Sequence, residues 1–114
     1  MGEFPARFKT FTPEGYADLS FQIRVNPTNA EIVRLAAGYT ADTRAEYGAA
    51  LVKAYCGATV GGYGTVFDFS TAEDALKTLE DDALPDDLRH WLRSAPVDVA
   101  LQERDAITSK YRAS

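Results

Sequence analysis

The stretch Ala17-Asp-Leu-Ser-Phe-Gln-Ile-Arg-Val25 decides the fold of this chain. Along it, apolar Leu19, Phe21, Ile23 and Val25 alternate with polar Asp18, Ser20, Gln22 and Arg24. Successive side chains of a strand point to opposite faces, so this alternation predicts a strand over residues 17–25 with one buried face and one wet face. The buried face needs a cover, which the helical patterns that follow can supply.

Two further strands are predicted, one before the stretch 17–25 and one after the first predicted helices. Residues 7–11 form a short strand, and Thr12-Pro-Glu-Gly15 is typical of a turn, so residues 7–25 are predicted to form a β-hairpin. Residues 65–69 are strand-like and are predicted to pair with this hairpin. Between the helices and this last strand, residues 57–64 contain four glycines and are predicted to be a loose loop.

Helix-start signals and apolar spacing predict the rest of the chain. Thr28-Asn-Ala-Glu31 and Ser70-Thr-Ala-Glu73 fit capping boxes, and Leu84-Pro-Asp-Asp87 is a typical helix start. One helix is predicted to begin at each of these signals, and two more are predicted to cover residues 43–55 and 97–111. Pro96 is expected to separate the last two helices. The predicted fold class is α+β: a hairpin or small antiparallel sheet packed against about four to five short helices, with a mostly helical C-terminal half.

Composition restricts the partners and the setting. The chain has 114 residues, a net charge of −5 and a pI near 4.7. Phosphate neutralisation dominates nucleic-acid affinity, so we expect no nucleic-acid partner. The apolar runs are too short to span a bilayer, so no membrane partner is expected either. The lone cysteine and the absence of a leader pattern predict a cytoplasmic protein. Residues 1–4 resemble a cloning remnant, and residues 5–114 are predicted to form a single domain.

Four features of the sequence could serve as reactive sites, and each is better explained by a structural role. The glycine stretch 57–64 lacks the Lys-Ser/Thr of a phosphate-binding loop, so a flexible connection is the preferred interpretation. His90 lacks the nitrogen or sulfur companions of a zinc site. Cys56 has no base nearby and is interpreted as a small buried hydrophobe. The paired carboxylates at 81–82 and 86–87 are interpreted as helix caps on an acidic face. We therefore predict a non-enzymatic protein without catalytic residues, metal or cofactor.

Trp91 leaves two interpretations open. It is either a core residue that joins the last two helices or part of a protein-binding surface, because tryptophan is enriched at interface hot spots. The candidate protein-binding residues lie in the last two predicted helices: Leu88, Trp91, Leu92, Val97, Leu101, Ile107 and Tyr111.

The pattern Leu-Pro-x-x-Leu-x-x-Trp-Leu over residues 84–92, followed by a break and a helix, resembles small proteins of tailed-phage and prophage structural gene clusters, including tail assembly chaperones. The segment Phe-Gln-Ile-Arg-Val-Asn-Pro-Thr-Asn-Ala-Glu over residues 21–31 has a similar character. The resemblance implies a viral protein in the host cytoplasm that keeps an aggregation-prone tape-measure protein soluble during tail assembly. It carries over no catalytic residues.

Three functions follow as hypotheses. The first is a protein-binding module, such as a phage tail assembly chaperone whose partner is a tail component. The second is a virion component, such as a head–tail connector or tail completion protein, that forms a ring as a homo-oligomer. The third is a small-ligand binder or enzyme that uses residues 57–64 together with Tyr63, Asp68 or His90.

Overall fold

A computed structural model describes residues 6–62 and 65–112 of the chain. The elements in chain order are β1 (Phe8–Phe11), β2 (Phe21–Arg24), α1 (Asn29–Ala36), α2 (Arg44–Ala54), β3 (Thr59–Gly62), β4 (Thr65–Asp68), α3 (Ala72–Glu80) and α4 (Asp86–Arg112). Strands β1 and β2 form one antiparallel sheet, and β3 and β4 form a second. The predicted α+β class is confirmed. The predicted cloning remnant at residues 1–4 lies outside the described residues.

The β1–β2 hairpin buries the face that the alternation predicts. Leu19, Phe21, Ile23 and Val25 are all at most 2% exposed. The regular strand is shorter than predicted, because the amide of Leu19 bonds to the carbonyl of Tyr16 at 2.9 Å and closes a turn before β2 begins. Leu19 is therefore buried from a turn rather than from the strand.

The second hairpin corrects two predictions about residues 57–69. Residues 59–62, predicted as loop, form β3, and β4 pairs with β3 instead of with the first hairpin. Cys56 and Gly57 both have a positive φ, at 63° and 64°, and they reverse the chain directly after α2. Beyond the paired residues of β3 and β4, the Phe69 amide extends the ladder by donating to the Ala58 carbonyl at 3.0 Å.

Threonine side chains cap α1 and α3. The Thr28 hydroxyl accepts from the Glu31 amide at 3.2 Å, as the first capping box predicts. In α3 the cap is one residue later than predicted, because the Thr71 hydroxyl accepts from the Asp74 amide at 3.1 Å. The Ser70 hydroxyl is not available as the cap, since it bonds to the Asp68 carboxylate.

Pro96 does not break the last helix, contrary to the prediction: α4 is continuous over 27 residues. Proline has no amide hydrogen, so within a helix the carbonyl four residues earlier, here that of Leu92, loses its usual donor. The buried hydroxyl of Tyr55 replaces that donor and bonds to the Leu92 carbonyl at 2.6 Å. The helix therefore passes through Pro96 with the freed carbonyl satisfied.

The core centres on the ring of Phe21. Its centroid lies 5.4 Å from Phe67, 5.8 Å from Tyr55, 6.4 Å from Phe69 and 5.6 Å from Trp91. These rings come from the second hairpin and the residue following it, the end of α2, and α4. One side chain of the fold-deciding stretch thus joins the two sheets and two helices.

Gly48 allows α2 and α3 to pack closely. A Cβ at this position would lie 2.7 Å from the Ala72 carbonyl oxygen and 2.9 Å from the Leu76 side chain. We expect Gly48→Ala to lower the free energy of unfolding by up to about 2 kcal/mol, since an overpacking cost of about 1–3 kcal/mol is offset by a helix-propensity gain of only about 1 kcal/mol.

Urea unfolding followed by Trp91 fluorescence measures this change. Gly61→Ala is the matched control, because a Cβ there has nothing within 4 Å. A Gly48→Ala variant at least as stable as the wild type would contradict the close packing of the two helices.

Candidate functional site

The structure separates the predicted protein-binding residues into buried and exposed groups. Leu88 and Leu92 are 1% and 0% exposed and belong to the core, so the prediction that they form a contact surface is wrong. Trp91 is partly buried and packs on the core beside Phe21. Val97 is also partly buried against the core. These residues hold α4 to the rest of the molecule.

Leu101 is the predicted residue that the structure exposes clearly, at 47%. It follows Ala100, which is buried at 1%. The backbone of α4 continues as a helix to Arg112, so Ile107 and Tyr111 lie on it, but their side chains are outside the described residues. Residues 102 and 104–106 are exposed as well.

Glu103 joins this exposed part of α4 to the first hairpin. Its carboxylate pairs with the Arg7 guanidinium at 2.6 Å and with the Lys9 ammonium at 3.3 Å. Hydrogen bonds from these two cations, that of Arg7 foremost, lower the pKa of Glu103. The pairs connect α4 to β1 and to the residue before it, close to the buried Ala100.

An open cleft of about 770 Å³ lies between the end of α1 and the first half of α4. One side is formed by Leu35 and the residues that end α1, up to Gly38 and Tyr39, with Tyr47 from α2 behind them. The α4 side consists of His90, Arg93, Ser94, Val97 and Asp98. Their spacing of three or four residues places them on one face of the helix.

Tyr39 holds one wall of the cleft in place. Its ring lies 4.7 Å from the ring of Tyr47, and its hydroxyl donates to Glu80 at 3.0 Å. Glu80 is also paired with Arg44, and the Arg44 hydrogen bond is the main cause of the lowered pKa of Glu80. Burial, followed by the bond to Glu80, raises the pKa of Tyr39. Glu80 is therefore an ionised carboxylate paired with Arg44, and its charge also acts on Arg93 across the cleft wall.

Arg93 differs from the other arginines near packed elements. Its guanidinium carbon lies 5.9 Å from the centroid of the Tyr39 ring, and it forms no ion pair or hydrogen bond with any residue in the part of the chain that the structure describes. Carboxylates lie at 2.5–3.6 Å from Arg7, Arg24, Arg34, Arg44 and Arg89. The cleft thus contains an exposed guanidinium that makes no ion pair at contact distance among the described residues, with Glu80 as its longer-range counter-charge. The sequence analysis did not identify this feature, although residues 90–98 place polar side chains at helical spacing.

The other sequence candidates have structural roles. Gly57 ends α2, where its amide donates to the Val52 carbonyl at 2.9 Å, and no phosphate-type loop opens a helix there. Cys56 is half-buried rather than fully buried, and burial raises the pKa of its thiol. His90 is exposed and lines the cleft. Tyr63 lies outside the described residues. Across residues 6–62 and 65–112, no group of three or more His, Cys, Asp or Glu side chains is arranged to hold a metal ion.

The acidic run caps and connects helices. Asp81 accepts from the amide of Ala83 at 2.9 Å, and Asp86 pairs with Arg89 at 2.7 Å. The Arg89 guanidinium also donates to the carbonyls of Leu79 and Asp81, at 2.8 and 2.7 Å, so it satisfies the end of α3.

Comparisons with protein-family models, curated proteins and solved structures found no match to this chain. Within the described parts of the chain, no helix combines the length and the apolar character needed to cross a bilayer.

Proposed function

We propose that this chain is a non-enzymatic protein-binding module and that its partner docks on the C-terminal part of α4. The observation that carries the proposal is the exposed Leu101 on a helix that continues beyond its buried segment. A large apolar side chain exposed at 47% on a regular helix presents an anchor of the kind that helix-in-groove recognition uses.

The length of this helical segment supports the proposal. Residues 101–112 are helical and rise about 18 Å along the axis, which is enough for several anchor positions. Glu103 pairs with Arg7 and Lys9 and so ties the start of the segment to the first hairpin, which reduces the ordering cost of binding. The partner therefore meets a helix that is already formed.

The role we favour is that of a phage tail assembly chaperone, with a tape-measure protein as the client. The support is the resemblance over residues 84–92 together with the acidic character of the chain, at a net charge of −5. A negatively charged complex resists self-association, which is what an aggregation-prone client requires.

Co-expression with a tape-measure protein tests the proposal. We expect the full chain to raise the soluble fraction of the client and Leu101→Glu to abolish most of that gain, because a charge at the anchor must be desolvated on binding. Gln102→Glu is the matched control, since it adds the same charge at the neighbouring exposed position of the same helix.

Two results would refute the proposal. One is a client that stays insoluble with the wild-type chain at a tenfold excess of chaperone. The other is equal solubilisation by the wild type, Leu101→Glu and Gln102→Glu. Circular dichroism of both variants confirms that α4 remains helical.

A further inference from the structure

We propose that the cleft between α1 and α4 is a binding site for an organic monocarboxylate with an apolar or aromatic body. Arg93 is the anchor for the carboxylate, and the walls around Tyr39 and Tyr47 accept the body. This site is separate from the exposed part of α4 on which the proposed protein partner docks.

The unpaired guanidinium of Arg93 identifies the charged end of the ligand. Arginine presents a planar fork of donors that matches a carboxylate, and each charge-assisted hydrogen bond is stronger than a neutral one. Arg93 has no such partner among the described residues, while its position near the Tyr39 ring places it at the cleft wall. Ser94 and His90 line the cleft beside it and offer further polar contacts.

Apolar surface identifies the other end of the ligand. Val97 and Tyr39 are partly exposed and supply apolar surface to the cleft, above Leu35 and Tyr47, which are only 4% and 1% exposed. A volume of about 770 Å³ lies within the range of about 300–1,000 Å³ that small-molecule sites occupy. Adjacent tyrosine rings favour a flat or aromatic body.

The remaining charges favour a ligand with a single negative charge. Asp98 lines the same cleft and would repel a polyanion such as a phosphate ester. Glu80 beside Tyr39 forms its ion pair with Arg44, and its charge reaches Arg93 only as a weaker, longer-range attraction. A monocarboxylate satisfies Arg93 without crowding Asp98, and a hydroxyl or amino group at its far end can bond to Asp98.

Amide-detected NMR titration tests the proposal with 4-phenylbutyrate and with its neutral counterpart, 4-phenylbutyramide. We expect the carboxylate to shift the amides of residues 38–39, 93–95 and 97–98 saturably, with a Kd near the millimolar range that is usual for a ligand of this size. The neutral amide is expected to bind about tenfold more weakly, because it loses the charge-assisted bonds to Arg93. Inorganic phosphate is expected to produce no saturable shift.

Arg93→Gln is expected to weaken 4-phenylbutyrate binding by about tenfold. Arg104→Gln is the matched control, because Arg104 is an exposed arginine of the same helix outside the cleft. Any one of four results would overturn the proposal. They are equal affinity of the two probes, shifts centred away from the cleft, an Arg93→Gln affinity equal to that of the wild type, and no saturable binding. Leu101→Glu should bind the probe as the wild type does, so failure of this site and failure of the protein-binding proposal are distinguishable.

Discussion

Phe21→Ala is expected to lower the free energy of unfolding by about 3–5 kcal/mol, the usual range for deleting a buried phenylalanine. Phe21 is 1% exposed, and its ring contacts the rings of Tyr55, Phe67, Phe69 and Trp91 at centroid distances of 5.4–6.4 Å. Removing it leaves a cavity between both hairpins, α2 and α4. Because the free energy of unfolding of a small domain is only about 5–15 kcal/mol, this single substitution removes a large fraction of the total stability.

Urea unfolding monitored by circular dichroism measures the effect, and Phe8→Ala supplies the control. Phe8 lies on the same hairpin but is 42% exposed, so we expect a loss below about 1 kcal/mol. Near-equal losses for the two variants would mean that Phe21 is not the centre of the core. Trp91 fluorescence is expected to shift only in Phe21→Ala, since Trp91 packs 5.6 Å from Phe21.

Tyr55→Phe is expected to lower the free energy of unfolding by about 1–3 kcal/mol, the cost of a buried polar group left without a hydrogen bond. The substitution removes only the hydroxyl that donates to the Leu92 carbonyl at 2.6 Å. That carbonyl has no alternative donor along the helix, because residue 96 is a proline. Urea unfolding again provides the measurement.

A double-mutant cycle with Pro96→Ala isolates the cause. Alanine restores an amide hydrogen at position 96, which satisfies the Leu92 carbonyl within the helix. In the Pro96→Ala background, Tyr55→Phe should therefore cost about 1 kcal/mol less than in the wild type. Additive effects of the two substitutions would show that the hydroxyl of Tyr55 does not compensate for the proline.

Local patterns predicted the elements whose signals are contained in a few consecutive residues. The alternation at Leu19, Phe21, Ile23 and Val25 predicted which side chains are buried, because period 2 maps directly onto the two faces of a strand. Thr28 predicted the start of α1, because its cap bond spans only three residues. Among the candidate contact residues, the exposure of Leu101 agrees with a surface role.

Other features depended on residues far apart in the chain. The spacing of Leu88 and Leu92 marks an apolar helix face, but spacing alone does not say whether that face meets the molecule's own core or a partner. The strand β3 was missed for a different reason, since its sequence, Thr-Val-Gly-Gly, has no alternation of apolar and polar residues.

By itself, the sequence determined the α+β class, the buried face of the first hairpin and the start of α1, because these follow from local periodicity and local hydrogen bonds. Only the tertiary structure decided that α4 passes through Pro96, since the hydroxyl that compensates for the proline belongs to Tyr55, which lies 37 residues before Leu92 in the sequence. It also decided which polar residues meet in a cleft, because Tyr39 and Arg93 come together through the packing of α1 against α4. Contacts of this kind arise from packing between distant segments, which no local pattern encodes.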